Sequence, residues 1–343
     1  MNAGTILIII LSQQGYWFGG DTGTLRVQWP TNRAPTESVL VWKLVLGEAQ
    51  LAEGRLPLSG DGKASLLSVT APEVRVRTRV RWVYSVQARD GGKELASGEA
   101  TLEVFPNTLL SGVGERLEGK RLVVWDKDGP LTRFLSDKKI AHRRVQDSAS
   151  LQTLKADMIL VAPDQLDGSK FAQAPLLGQA AAGASVFVFT QPRAKYLAGY
   201  SITRRMTPPE LQWRRVHPLF RGFGQEDLST FLKEAKDLHA VQLPADEPAL
   251  ELAWWPPEVD SSEPVPIDAL VVAKAVESGR IVLCALPLGA WDRDPRSQML
   301  LGGILDYLQT RAEPTLPLSR RRVEQRRLPA SMPTITIPPG GSP

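Results

Sequence analysis

The sequence predicts a β-sandwich followed by an α/β domain with a doubly wound, mostly parallel sheet. From residue 21 to residue 105, apolar residues recur at every second position, which is the period of strands that bury one face. From residue 120 onward, short apolar runs alternate with segments of helical length, an order typical of parallel strands joined by helical crossovers. The 343 residues are enough for two such domains.

The first 20 residues contain an apolar run at positions 5–11. The run is too short to span a bilayer, which takes about 20 residues in a helix. No basic residue precedes it and no small-x-small cleavage pattern follows it, so it does not fit a signal peptide. We therefore predict a buried strand that leads into the sandwich and no transmembrane segment, and the run assigns the chain to no cellular compartment.

Residues 21–105 show the strand pattern of an immunoglobulin-like sandwich. Residues 39–46 are almost all apolar and predict a buried strand, whereas residues 74–82 alternate Val with Arg and predict a strand with one solvent face. The Asp-Gly-Gly turn within residues 89–92 predicts a hairpin, because glycine readily adopts positive φ. Trp42, inside the apolar strand, is expected to fill the core.

Residues 106–119, rich in Gly and Ser, predict a linker to an α/β domain over residues 120–312. Four short apolar runs in this domain predict parallel strands, at residues 121–125, 141–145, 157–162 and 184–190. Residues 269–286 predict a hairpin that closes the sheet, whereas residues 200–263 are rich in Pro and Trp and predict irregular structure. Residues 313–343 predict a disordered, basic, proline-rich tail.

Composition and charge exclude several classes of protein. Hydrophobic residues make up 43% and charged residues 23% of the chain, the balance of a globular protein rather than a disordered or membrane-embedded one. The net charge of +4 comes from residues 311–343, which hold six Arg and two Glu, so residues 1–310 are neutral and we predict no nucleic-acid partner. One cysteine, Cys284, and three scattered histidines exclude an internal disulfide and cysteine-based metal sites, and we expect neither a metal nor a cofactor.

The sharpest local motif follows the first predicted strand of the α/β domain, where Asp126 and Asp128 precede a glycine. The motif resembles that of haloacid-dehalogenase-like phosphatases, in which the first Asp attacks phosphorus and the second acts as acid and base. Pro130 replaces the usual Thr, and no later predicted strand ends in the acidic pair that would hold Mg²⁺. We predict that Asp126 caps the helix that begins near Gly129, with an independent phosphatase-like hydrolase as the alternative.

The order of strands and helices resembles the flavodoxin-like sheet of class I glutamine amidotransferases. That chemistry requires a cysteine at a strand-to-helix elbow, beside a histidine and an acid. At the corresponding position this chain has Thr190, Gln191 and Pro192, and Cys284 lies in the middle of a predicted strand. We therefore predict an amidotransferase-like fold whose cysteine is a buried, inert thiol.

Seven short segments follow one another in a recognisable order, at residues 19–21, 125–126, 156–163, 182–189, 217–222, 277–284 and 294–296. Together they resemble the carboxy-terminal accessory region of beta-galactosidase-like, family 2 type glycoside hydrolases, over residues 15–312. In such enzymes the catalytic carboxylates lie on a preceding TIM barrel of about 250 residues, for which this chain has no room. The resemblance implies a non-catalytic accessory or assembly module of a carbohydrate-active enzyme, with a catalytic barrel domain or a second copy of the chain, as a homo-oligomer, for its partner.

Open parallel sheets place ligands beyond the carboxyl ends of their strands. The residues expected there are Trp125, Asp126, Asp164, Thr190, Gln191, Trp291 and Asp292. Their carboxylates and amide can hydrogen-bond hydroxyl groups, and indole faces can stack on a sugar ring, so a weak carbohydrate site there is one hypothesis. The other hypothesis, which we favour, is a vestigial crevice filled by residues 200–263 or by a partner domain.

Overall fold

The computed structural model describes residues 9–11, 16–28, 38–58, 65–88, 93–166, 170–205, 211–234, 238–244, 249–255 and 266–310. Over these ranges the fold is mostly β-strand, with few helices. The chain divides into two compact units. One unit comprises Met1–Arg116 with Gly289–Leu305, and the other comprises Leu117–Leu288 with Asp306–Pro343.

The first unit contains two β-sheets. Its elements are β1 (Ile9–Leu11), β2 (Tyr16–Phe18), β3 (Thr22–Gln28), β4 (Ser38–Leu46), β5 (Ala49–Leu58), β6 (Ser65–Thr70), β7 (Thr78–Ala88), β8 (Glu94–Phe105) and the short helix α1 (Val113–Arg116). One sheet is antiparallel, with the strand order β1–β3–β6. The other has the order β2–β8–β7–β4–β5, in which β2 is parallel to β8 and the remaining pairs are antiparallel.

One apolar cluster contains side chains from both sheets of the first unit. The period-two pattern turns alternate residues of each strand to one side, so that Leu25 of β3 and Leu40 of β4 share this cluster. Trp42 of β4 is buried in it, in agreement with its place in the apolar run. Gly54 of β5 stands opposite Trp42, and a Cβ atom at position 54 would lie 2.7 Å from the indole ring, so only glycine leaves room for this side chain.

The second unit contains the remaining strands and most of the helices. Its strands are β9 (Leu122–Trp125), β10 (Arg143–Val145), β11 (Met158–Val161), β12 (Ser185–Val188), β13 (Tyr196–Leu197), β14 (Tyr200–Arg205), β15 (Gln212–Trp213), β16 (Leu238–Leu243), β17 (Leu250–Trp255), β18 (Ile267–Val276) and β19 (Gly279–Cys284). Its helices are α2 (Pro130–Asp137), α3 (Ala149–Gln152), α4 (Lys170–Ala181), the 3-10 turn Pro218–Phe220 and α5 (Gln225–Glu234). A last helix, α6 (Pro295–Gln309), belongs to the first unit up to Leu305 and to the second from Asp306.

All the described strands of the second unit belong to one sheet. Its main strand order is β10–β9–β11–β12–β19–β18–β16–β14–β13, with β17 paired to β18 and β15 to β17. The first five strands are parallel, and the others pair in antiparallel fashion. Strands β9, β11 and β12 are buried at every position, which explains why the sequence shows them as unbroken apolar runs.

The sheet extends further than the sequence predicted. The hairpin β18–β19 lies in the middle of the strand order and does not close the sheet. The expectation of irregular structure over residues 200–263 was wrong for four stretches of it, which form β14 to β17, and for α5. Polar residues interrupt these antiparallel strands, such as His239 and Gln242 in β16 and Glu251 in β17, so they lack the nearly unbroken apolar runs that revealed the parallel strands.

Two further expectations concern segments whose structure is not described. The hairpin turn at residues 89–92 and the tail at residues 313–343 lie outside the described residues. Among the helices of the described part, none is long and apolar enough to cross a membrane.

Candidate functional site

The carboxyl ends of the parallel strands bring five of the seven predicted site residues to one edge of the second unit. Trp125 ends β9, and Asp126 follows it with its backbone N–H donating to the carbonyl of Val145 at 3.1 Å. The N–H of Asp164, after β11, donates to the carbonyl of Thr190, after β12, at 3.1 Å. Backbone hydrogen bonds between neighbouring strand ends thus fix where the side chains of this edge lie.

The Asp126 carboxylate is fully buried and bonded within the protein. Its Oδ1 accepts the backbone N–H of Gly129 at 3.0 Å, and its Oδ2 accepts the N–H of Thr132 at 2.9 Å and the Thr132 hydroxyl at 3.3 Å. Gly129 has φ +83°, a conformation that favours glycine, and helix α2 begins at the next residue. The carboxylate therefore caps the amino terminus of α2, as the cap interpretation predicted, and presents no oxygen to solvent.

Two side chains that sequence reasoning missed hold the loop after Asp126. Arg144 of β10 donates from Nε to the carbonyl of Asp126 at 2.8 Å and from an Nη atom to the carbonyl of Lys127. Gln165 accepts the N–H of Lys127 at 2.7 Å. No local pattern could reveal these contacts, because they join residues that are 17 to 38 positions apart.

Gln191 joins two loops of the same edge. Its amide nitrogen donates to the carbonyls of Ala162 and Phe189, both at 2.8 Å, and its amide oxygen accepts the N–H of Leu166 at 2.8 Å. The residue is 3% exposed, so these bonds occupy its amide inside the protein. Trp125 is similarly enclosed, at 5% exposure, and its indole is part of the apolar core of the second unit.

Asp164 and Arg193 are exposed polar groups of this edge, and they lie next to the half-buried Thr190. Arg193 donates from Nε to the Asp164 carboxylate at 2.6 Å and from Nη2 to its carbonyl at 2.9 Å. Asp164 has φ +60°, which an aspartate tolerates better than most residues and which turns the chain sharply after β11. A carboxylate, a guanidinium and a hydroxyl at one place can together accept and donate hydrogen bonds to a hydroxylated ligand.

The other two predicted residues, Trp291 and Asp292, belong to the first unit. Trp291 is 3% exposed, and its carbonyl accepts the amide of Gln298 at 2.8 Å. Its indole therefore presents no face on which a sugar could stack. Asp292 is exposed, and its carboxylate lies 3.3 Å from the guanidinium of Arg293.

The thiol of Cys284 is buried near the end of β19. Burial raises its pKa to about 12, and the N–H of Leu286 offsets only part of that rise. The group is therefore a neutral thiol near pH 7 and not a thiolate, which is the form that attacks carbonyl carbons.

A second polar cluster in this unit surrounds Tyr307. Arg280 of β19 is 1% exposed and donates from Nη2 to the carbonyls of Tyr307 and Thr310, both at 2.6 Å. These carbonyls lie at the carboxyl end of helix α6, where the helix dipole favours a positive charge. His217 packs edge-on against the Tyr307 ring, and its Nδ1 accepts the N–H of Leu219 at 3.3 Å. Burial, together with the charges of Arg214 and Arg280, lowers the pKa of His217 to about 4. Within the described ranges, no three His, Cys, Asp or Glu side chains gather in a way that would hold a metal ion.

No protein-family model matches the chain, and no curated protein matches its sequence. Solved structures with a similar arrangement include glycoside hydrolases. One is a beta-galactosidase from Bacillus circulans sp. alkalophilus, with 9% identity and a TM-score of 0.33 over 59% of this chain and 33% of that one. Another is an FMN-binding beta-glucuronidase from Facaelibacterium prausnitzii L2-6, with 11% identity and a TM-score of 0.21 over 53% of this chain and 27% of that one.

A third similar structure is a 2,6-sialyltransferase from Vibrionaceae Photobacterium sp. JT-ISH-224, with 14% identity and a TM-score of 0.21 over 51% of this chain and 40% of that one. The chain thus spans about a third of the length of the first of these proteins. TM-scores this far below 0.5 carry no argument about activity, so the chemistry of this chain has to be inferred from its own residues.

Proposed function

We propose that this chain is a non-catalytic accessory or assembly module of a carbohydrate-active enzyme. The observation that carries the proposal is the hydrogen bonding of the carboxyl edge, where Asp126 and Gln191 are engaged by backbone groups of the chain itself. In enzymes with an open parallel sheet, polar groups at this edge face the substrate. Here these two groups stabilise the loops around the edge, which favours a structural or binding role.

We also propose a fold for each of the two units. The first is an immunoglobulin-like sandwich, supported by two sheets that share an apolar cluster with Trp42 in it. The second is amidotransferase-like and flavodoxin-like in its parallel part, supported by five parallel strands with α2 and α4 between successive ones. The buried Cys284 fits a relative of amidotransferases that lacks their nucleophile.

The phosphatase-like alternative has less support. A nucleophilic aspartate needs a free oxygen that faces the phosphorus atom. Both oxygens of Asp126 accept hydrogen bonds from α2 and the turn before it, and the residue is 0% exposed. Attack by Asp126 would therefore require the amino terminus of α2 to come apart.

We further propose weak sugar binding at the exposed part of the carboxyl edge. Asp164, Arg193 and Thr190 supply the groups that face outward, whereas Trp125, Asp126 and Gln191 support them from inside the protein. Ion pairs of a carboxylate and a guanidinium bind vicinal hydroxyl groups well, because one partner accepts and the other donates. Without an exposed indole in this set, we expect dissociation constants on the order of 1 mM.

Calorimetric or NMR titration with galactosides and plant-wall oligosaccharides tests the binding part of the proposal. We expect saturable binding that disappears when Asp164 and Arg193 are both changed to Ala. The matched control is the ion pair of Arg121 and Asp157, which has a contact of 2.8 Å and lies before β9 and β11, at the opposite ends of the same strands. Binding that survives the first double substitution, or that is lost equally with the second, contradicts the assigned site.

Activity assays test the non-catalytic part. The purified protein is expected to release neither ammonia from glutamine nor phosphate from p-nitrophenyl phosphate in the presence of Mg²⁺. Phosphate release that is abolished by Asp126→Asn would overturn the proposal in favour of the phosphatase-like alternative.

A further inference from the structure

Strand β5 forms one edge of the five-stranded sheet in the first unit. It pairs with β4 along one side, from Ala49 to Leu58. No described strand pairs with its other side. The free edge of such a strand presents backbone N–H and C=O groups in the spacing that another strand can match.

The side chains of β5 alternate between the core and the outer face of the sheet. Ala52 and Leu56 pack against the apolar cluster of the sandwich. Glu53 and Arg55 are exposed on the outer face, and neither makes an ion pair or a side-chain hydrogen bond within the described part of the chain. Leu51, on the same face, is 41% exposed.

The two charges lie symmetrically about Gly54. If two copies of β5 pair in antiparallel fashion with Gly54 opposite Gly54, then Glu53 of each copy faces Arg55 of the other. The core-facing Ala52 then lies opposite Leu56, so both faces of the combined sheet stay consistent. Directly opposed residues of an antiparallel pair lie close enough for their side chains to form ion pairs.

We propose that β5 is a self-association edge that joins two copies of this chain about a twofold axis, as one continuous sheet. A single charge on an edge strand discourages pairing with other strands. A glutamate and an arginine on either side of the twofold axis instead favour one partner, a second copy in one register. Pro57 has no N–H and lies opposite Leu51 in this register, so the ladder of hydrogen bonds ends there.

The interface is short, so we expect a dissociation constant on the order of 10 μM, measurable by sedimentation velocity of the full chain up to about 300 μM. Arg55→Glu and Glu53→Arg each place like charges opposite one another in the homodimer. Each variant alone is expected to weaken self-association at least about tenfold. An equimolar mixture of the two variants restores both opposite-charge pairs, and we expect it to form a heterodimer about as tightly as the unmodified chain dimerises.

Arg75→Glu is the matched control, because Arg75 is exposed on the same unit, outside β5, and the change in net charge is the same as for Arg55→Glu. It is expected to leave association unchanged, and circular dichroism checks that every variant is folded. A chain that stays monomeric at the highest concentration overturns the proposal. So does a folded mixture that fails to associate, or an Arg55→Glu variant that dimerises as well as the control.

Discussion

The two units differ in where they keep their charged side chains. In the first unit, Glu103 of β8 lies on the face turned away from the core, where its two oxygens accept Nε of Arg77 at 2.8 Å and Nε of Arg79 at 2.6 Å. In the second unit, Asp126 and Arg280 are inside the protein and bind backbone groups. The first arrangement joins the largely buried Glu103 to two more exposed arginine side chains, and the second joins distant stretches of backbone.

The difference follows from the two kinds of sheet. An antiparallel sheet can keep one face toward solvent, so a carboxylate on that face can pair across strands with a partly exposed partner, as Glu103 does with Arg79. A parallel sheet buries whole strands, and its polar groups are confined to the strand ends, where they meet the amino and carboxyl termini of helices. We therefore expect the charge of Glu103 to contribute less to stability than the charge of Asp126.

The largest effect is expected from the core of the first unit rather than from its charges. Trp82 is 1% exposed, and its ring lies 4.7 Å from that of Tyr84. Trp82→Ala should lower the free energy of unfolding by about 4 kcal/mol, because it leaves a large cavity in the apolar cluster of the first unit. Leu66→Ala, at a position that is 66% exposed, is the control and should change it by less than about 0.5 kcal/mol in urea denaturation.

Asp126→Ala tests whether buried charge is structural in the second unit. The change leaves the backbone N–H groups of Gly129 and Thr132 without their acceptor, and we expect a loss of about 3 kcal/mol. Asp128→Ala removes an exposed carboxylate from the same loop and should cost less than about 0.5 kcal/mol. Equal losses in the two variants would show that the hydrogen bonds from α2 to Asp126 add nothing to the free energy of unfolding.

His217 predicts a pH dependence of the second unit. Its pKa is lowered in the folded protein from 6.5 to about 4, so the unfolded chain takes up the proton first as the pH falls. Stability is therefore complete above pH 6.5, declines as the pH falls toward 4 and loses no more from this group below it. We expect a loss of about 2 kcal/mol between about pH 8 and pH 5.

Denaturation of His217→Phe over the same pH range isolates this contribution, because phenylalanine keeps a ring against Tyr307 and does not titrate. The variant should lose stability less steeply than the unmodified chain. An unchanged slope would assign the acid sensitivity to other groups.

The smallest effect is expected at the ion pairs of Glu103 in the first unit. Glu103→Gln keeps the shape of the side chain and removes the charge between Arg77 and Arg79. Because the Arg79 side chain is 64% exposed, we expect a loss below about 1 kcal/mol, which shrinks further in high salt. A loss as large as that of Asp126→Ala would show that the charges of Glu103 and Asp126 contribute equally to stability.

Local patterns predicted more of the fold than of the site. The buried strands β9, β11 and β12 were predictable because every position in them except Ser185 is apolar. The cap by Asp126 was predictable because its partners lie three and six residues along the chain.

Long-range features could not be predicted in the same way. Gln165 and Arg144 reach the loop after Asp126 from other strand ends, and a single sequence carries no signal of such contacts. The enclosure of Trp125 and Trp291 also depends on tertiary packing, since an indole at a strand end is equally compatible with a core and with a stacking surface.

The first unit is built from two separate stretches of the sequence, and this affects when it can finish folding during translation. Residues 289–305 belong to this unit, and Arg296 lies over the ring of Tyr16 at 3.9 Å. The first unit therefore cannot be completed during translation until a segment synthesised long after its own strands is available. In the same way, Arg280 cannot donate to the carbonyls of Tyr307 and Thr310 before those residues have been synthesised. Both units are completed only when translation has passed residue 310, so a chain cut short before that point leaves two unfinished units rather than one finished and one missing.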